Sequence, residues 1–411
     1  MNFNSKFWLK FSLLNLLIVA LLGLLMRYKI GFEFPYGNQK SLQHSHSHFA
    51  FSGWISHTLM VLLIAYLSKK KGSGIDLKKY NFILTANLFC AYGMLISFII
   101  QGYGAFSIAF STASLLVSYA FGYCYIKHLK SLPSDDLTKK WFTAAIFFNI
   151  ISSLGTFFLA YMMITKNIHQ EEYLASIYYY LHFQYNGWFF FACMGLLYGF
   201  LNLKKTDNHF FDTTFRLFFF SCLPAYFLST LWADLPVWLY GLTVLAAIIQ
   251  VIAWYKFLFI LLNTKREYLT NFPYFLRYIL LFVAFAVSIK VLLQLGSTIP
   301  SVSKLAFGFR PIVIAYLHLV LLAIISLFLL FYIYANHLIH SNKKIKLGVI
   351  LFSIGVLLNE IILAVQGIAS FSYTLIPHVD IALFGAAVVL VSGIGITAFY
   401  SIKKVKTLAV L

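Results

Sequence analysis

Apolar residues run along this chain in long blocks separated by short polar breaks, and the blocks fall near 7–26, 49–67, 81–100, 106–126, 141–163, 177–201, 214–232, 236–262, 275–295, 311–335, 347–366 and 378–401. Each is long enough to cross ~30 Å of hydrocarbon as a helix, so the pattern predicts twelve transmembrane helices. The polar breaks check that number independently, because Lys and Arg collect on the cytoplasmic side of a membrane. With the N-terminus placed inside, twenty-three of the basic residues fall in inner segments. Seven fall on the outer side: Arg27, Lys29, Lys40, Lys166, Lys290, Lys304 and Arg310. Losing one helix from the count would invert every later loop. Both termini are therefore expected in the cytoplasm, with the first apolar block, which lacks a small-residue cleavage site, read as a retained helix.

Within the blocks one motif recurs. Ser47-His48-Phe49-Ala50-Phe51-Ser52-Gly53-Trp54 is echoed by Leu181-His182-Phe183-Gln184-Tyr185-Asn186-Gly187-Trp188, and more faintly by Tyr316-Leu317-His318. His48 and His182 stand 134 positions apart and His318 follows 136 later, the even spacing of a repeated unit. Gln101-Gly102 and Gln366-Gly367 close the third and eleventh blocks in the same manner. The expected fold is thus an all-α polytopic membrane protein whose twelve helices form three pseudosymmetric four-helix arcs, roughly 1–130, 131–265 and 266–411, packed as a single membrane domain over 1–411. The three histidines would then lie at the outer ends of helices 2, 6 and 10.

Composition agrees. With 61% hydrophobic and 10% charged residues, the chain lacks the polar surface of a water-soluble globule. A net charge of +19 would suit nucleic acid, but the basic residues sit in the breaks, where topology explains them and no nucleic-acid partner is implied. Its partner is a lipid bilayer, that of the cell's inner (cytoplasmic) membrane. Cys90, Cys124, Cys193 and Cys222 show no metal-binding spacing and read as free thiols.

Histidine inside a membrane helix is costly unless it faces the bundle interior or a ligand. Neutral imidazole is a good axial ligand for haem iron, and bundles build such sites from inward-facing side chains. Hydrogen-bonded core histidines inherited from a duplicated ancestor are the plainer alternative. His44, His46 and His48 alternate along the chain; on a helix His44 and His48 share a face and could hold copper or zinc together. Trp54 and Trp188 read as interfacial anchors. Glu360 marks either a proton or ion path or a structural hydrogen bond. Asp380 is placed to open a helix beside its positive dipole end.

Twelve helices, threefold repetition and histidines at helices 2, 6 and 10 resemble the catalytic subunit of haem-copper oxidases and nitric oxide reductases (the cytochrome oxidase subunit I type of fold). That resemblance implies a low-spin haem b held between His48 and His318, with Arg310 near a propionate, and a redox partner or electron-donor protein. It also implies copper, for which His182 is available; apart from the resemblance, the outer His44 and His46 are further candidates for holding a metal. The sequence departs from the family where Tyr316 replaces the high-spin haem ligand and where 210–232 holds no histidine pair. The copper set is incomplete, which leaves open whether the chain is an oxidoreductase, and its catalytic residues are not assigned. Three functions stand side by side: a haem-binding redox or diatomic-gas protein, a relative of the NnrS-type haem and copper proteins of nitric oxide stress, and a haem-free metal or solute transporter using Glu360.

Overall fold

The computed structural model describes residues 3–403 apart from 33, 72–76, 133–135, 205, 207 and 341, and apart from the side chains of 71, 305 and 306. Lys205, Lys404 and Lys406, counted above among the inner charges, lie outside the described residues, as does the side chain of Lys71. The described residues are helical throughout, with no strand. In chain order the helices are α1 (Ser5–Gly31), α2 (Gln39–Phe49), α3 (His57–Lys71), α4 (Lys78–Gln101), α5 (Ala105–Leu129), α6 (Leu137–Thr165), α7 (Gln170–His182) and α8 (Phe190–Phe200). They continue as α9 (Phe210–Cys222), α10 (Val237–Thr270), α11 (Tyr274–Gly296), α12 (Pro300–Gly308), α13 (Arg310–His318), α14 (Leu327–Ala335), α15 (Lys343–Phe371) and α16 (Val379–Ile402).

Ten stretches among the described residues are long and apolar enough to cross a membrane. The blocks at 177–201 and 214–232 are not among them. The first is helical from Gln170 to Phe200 but rich in Tyr and polar residues, and the second breaks at Pro224 from α9 into a short 3₁₀ turn, Pro224–Thr230. Proline removes a backbone donor and ends the α ladder there. Polar caps set the starts elsewhere: Asn4, Asn38 and Asn342 each accept from a backbone N–H three residues on. The outer helices carry large apolar residues on their open faces, among them Phe82, Phe106, Trp238, Tyr278 and Ile368, as lipid-facing surfaces require.

The second span begins at Gln39, ten residues earlier than its apolar block. The segment Gln39-Lys40-Ser41-Leu42-Gln43-His44-Ser45-His46 is too polar to read as membrane helix, yet it packs between α1 and α4. Ser45 Oγ donates to Leu95 O of α4 at 2.8 Å.

Three helices are interrupted by a π turn, and the interruptions fall at matching places: Ala50–Ser56 joins α2 to α3, Phe183–Phe189 joins α7 to α8, and Leu319–Ser326 joins α13 to α14. Each begins one or two residues after a repeat histidine. A π turn widens the ladder to i→i+5 and frees backbone carbonyls, which must find other donors. Asn15 Nδ2 and Asn87 Nδ2 supply Gly53 O (2.6 Å) and Ser52 O (3.2 Å), and Ser326 Oγ donates to Leu321 O (2.8 Å).

Beyond the π turns α3, α8 and α14 are buried almost residue for residue, so these composite helices form the hub. Trp54 and Trp188 are 1% and 0% exposed and belong to it. They are not interfacial anchors: Trp54 Nε1 donates to Ser326 Oγ at 2.8 Å and Trp188 Nε1 to Ser56 Oγ at 3.2 Å, each tying one hub helix to another. At the rim α15 and α16 approach through glycine, where a Cβ on Gly355 would stand 2.8 Å from Leu390 N.

Candidate functional site: the histidines beside the π turns

The three alternating histidines of α2 point two ways. His46 faces α1, where its Nδ1 donates to Val19 O at 3.1 Å and its Cε1 stands 3.5 Å from the place a Cβ on Gly23 would take. His44 and His48 face α4. His48 stacks on Phe98 with ring centroids 4.3 Å apart, its Nε2 is hydrogen-bonded to Tyr103 Oη at 3.1 Å, and the His44 ring meets the edge of Tyr103 at 4.6 Å.

On α13, His318 Nδ1 donates to Ile314 O of its own preceding turn at 2.9 Å. His46 and His318 are electrostatic neighbours, and Arg27 of α1 lies within reach of both. Of the α2 histidines it is His46, not His48, that has His318 as an electrostatic neighbour. Both imidazoles carry their proton on Nδ1, fixed by a carbonyl, and among the described residues no hydrogen-bond partner reaches either Nε2. An anchored Nδ1–H with a free Nε2 lone pair is how proteins hold and orient a histidine for a metal. No residue of α13 is fully buried; His318 and Tyr316 are half-buried.

Arg27 is balanced by Asp380, in the first turn of α16. Arg310 reaches sideways, its Nη2 donating to Gln43 Oε1 at 3.0 Å, and so ties the start of α13 to α2. Nothing in the sequence had singled out Arg27, since a basic residue at a helix end reads as a topology signal.

His182 differs from the other two. Its Nε2 donates to Cys222 O at 2.9 Å, its Nδ1 accepts from Asn186 Nδ2 at 3.1 Å, and the residue is 1% exposed. Both nitrogens are occupied, so His182 has no lone pair to offer copper in this arrangement. Among the described residues no group of three or more His, Cys, Asp or Glu stands at metal-binding spacing. His44 and His46, the outer candidates for a metal, point to opposite faces of α2. His57 sits in the hub, its Nδ1 accepting from Asn87 Nδ2 at 3.3 Å.

Lys290, counted above on the outer side, is buried within α11 at 6% exposure, donating to Gln294 Oε1 at 2.9 Å. With Asn186, whose Oδ1 is buried without a partner, it lines a cavity of about 10 Å³, room for a single water. Glu360 accepts from Asn359 Nδ2 at 3.1 Å, in the middle of α15.

Tyr103 stands in the turn between α4 and α5, made possible by Gly102 at φ +62°. Its ring keeps 53% of its surface open, yet enough protein surrounds the phenol to push it up to about 12, by burial first and by Tyr173 second. At neutral pH it stays protonated. Compared with known proteins, the chain matches no protein family and no curated sequence.

Proposed function

We propose that the chain is a haem-binding redox protein of the cytoplasmic membrane, with one b-type haem held between His46 and His318. The observation that carries this reading is the matched pair of imidazoles on two different hub helices. Each is locked by an Nδ1–H bond to a backbone carbonyl, with Nε2 free and the same arginine beside it. A haem bound there would supply one-electron transfer. The chain's own residues do the rest: Val19 O and Ile314 O hold the imidazole planes and raise the basicity of Nε2, and Arg27 offers positive charge for a carboxylate.

The twelve-helix, three-arc reading belongs with this proposal. It rests on the three π turns at equal spacing, and on counting Gln170–Phe200 and Phe210–Thr230 as the sixth and seventh crossings. Both termini then lie on the lysine-rich, cytoplasmic side, and an electron-donor protein would dock at the opposite end. Copper at His182 forms no part of it, because that imidazole is already committed on both sides.

A reduced-minus-oxidised spectrum of the purified protein tests the reading. A low-spin b-type signal is expected, abolished or turned high-spin by His46→Ala and by His318→Ala and retained in His48→Ala. A wild-type protein purified without haem, or a signal lost only in His48→Ala, would overturn it.

A further inference from the structure

The other face of α2 is unused by that haem, and it carries a second constellation. His44 and His48 are one helical turn apart on one side of a helix, the spacing at which two imidazoles can reach a single metal ion. Tyr103 is placed against both, hydrogen-bonded to His48 and edge-on to His44. His44 Nε2 is buried with no hydrogen-bond partner among the described residues, an unfavourable state for a polar atom unless something binds it.

The one donor–donor distance in the set matches coordination as well as it matches a hydrogen bond. Two donors bound about 2.0–2.1 Å from one metal, at angles between a right angle and the tetrahedral value, stand about 2.9–3.3 Å apart. His48 Nε2 and Tyr103 Oη are 3.1 Å apart. Phe98 stacks under the His48 ring and fixes its plane. Gly102, whose positive φ no other residue adopts easily, holds Tyr103 in its turn. Tyr103 is open on one side, which gives an ion a way in from the histidine-bearing end.

We propose that His44, His48 and Tyr103 form a binding site for a divalent transition-metal ion, copper(II) foremost, separate from the His46–His318 site. Imidazole and oxygen donors with solvent completing the shell suit copper(II), which also leads the divalent first-row ions in affinity for such a set. Binding replaces the Tyr103–His48 hydrogen bond with two metal bonds, and the phenol proton leaves to solvent. Lys40 is an electrostatic neighbour of His44 and no carboxylate among the described residues joins the set, so the site is of moderate, exchangeable affinity.

The full-length protein in detergent, stripped with a chelator, is titrated with copper(II) and followed by electron paramagnetic resonance. One ion per chain is expected, with hyperfine structure from two nitrogens and a phenolate-to-copper absorption band. His44→Gln and His48→Gln should each weaken binding by about tenfold or more. Tyr103→Phe should remove the absorption band while keeping the nitrogen hyperfine lines, and His46→Gln should leave copper binding unchanged. A wild-type protein that binds no copper below about 100 µM, or one nitrogen or none in its spectrum, overturns the proposal even if the variants do not fold. So does undiminished binding in the double variant His44→Gln/His48→Gln. The haem reading is scored separately, since the double variant keeps His46 and His318 and should keep any haem spectrum.

Discussion

The bond from Trp54 to Ser326 is a buried link between the hub helices that carry His46 and His318, and its worth can be worked from its surroundings. The indole is 1% exposed, so Ser326→Ala leaves Nε1–H with no partner and no water, at a cost of about 1–3 kcal/mol. The opposite change is gentler on the bond. In Trp54→Phe the serine hydroxyl still donates to Leu321 O at 2.8 Å, so nothing is orphaned. The lost hydrogen bond is then worth ~0.6 kcal/mol, typical between membrane helices, and the smaller ring adds a packing loss. In the Trp54→Phe background Ser326→Ala no longer strands a donor, and it should cost about 1–2 kcal/mol less than in the wild type. A double-mutant cycle measured by SDS-induced unfolding in dodecylmaltoside, followed by helical circular dichroism, reads this difference. Equal costs in the two backgrounds, within about 0.3 kcal/mol, would refute the claim that this bond locks the hub.

Two further outcomes test the packing in the same assay. Gly393→Ala would push a methyl into the backbone of Phe352 and should destabilise by about 1–3 kcal/mol, whereas Gly241→Ala, with nothing within 4 Å of its Cβ position, should be neutral or stabilising. Lys290→Met removes a buried amine that has no carboxylate within ion-pair distance among the described residues. Its unfolding midpoint should change by less than about 1 kcal/mol or rise, and a large loss would mean that the amine has a bound counter-ion.

The sequence by itself determined where most helices run, because an unbroken apolar block of about twenty residues has few other stable states in a bilayer. It also marked the three histidines, since equal spacing survives in the text of a repeated chain. Composition could not say which way side chains face. His44, His46 and His48 alternate around α2, so sequence spacing groups His44 with His48 and sets His46 apart; only the packing of α1 on one side and α4 on the other gives His46 to Val19 of α1 and His48 to Tyr103. The same holds for Trp54 and Trp188. A Trp near a membrane boundary looks like a belt residue until a serine from a distant helix is seen to accept its N–H. Lys290 was counted with the outer charges because it lies toward the end of its apolar block, while Gln294 and the ring of Phe190 make a place for it inside. The π turns left no local trace at all: they register as helix in any pattern of apolar residues, and the carbonyls they free are met by Asn15 and Asn87, which come from other helices.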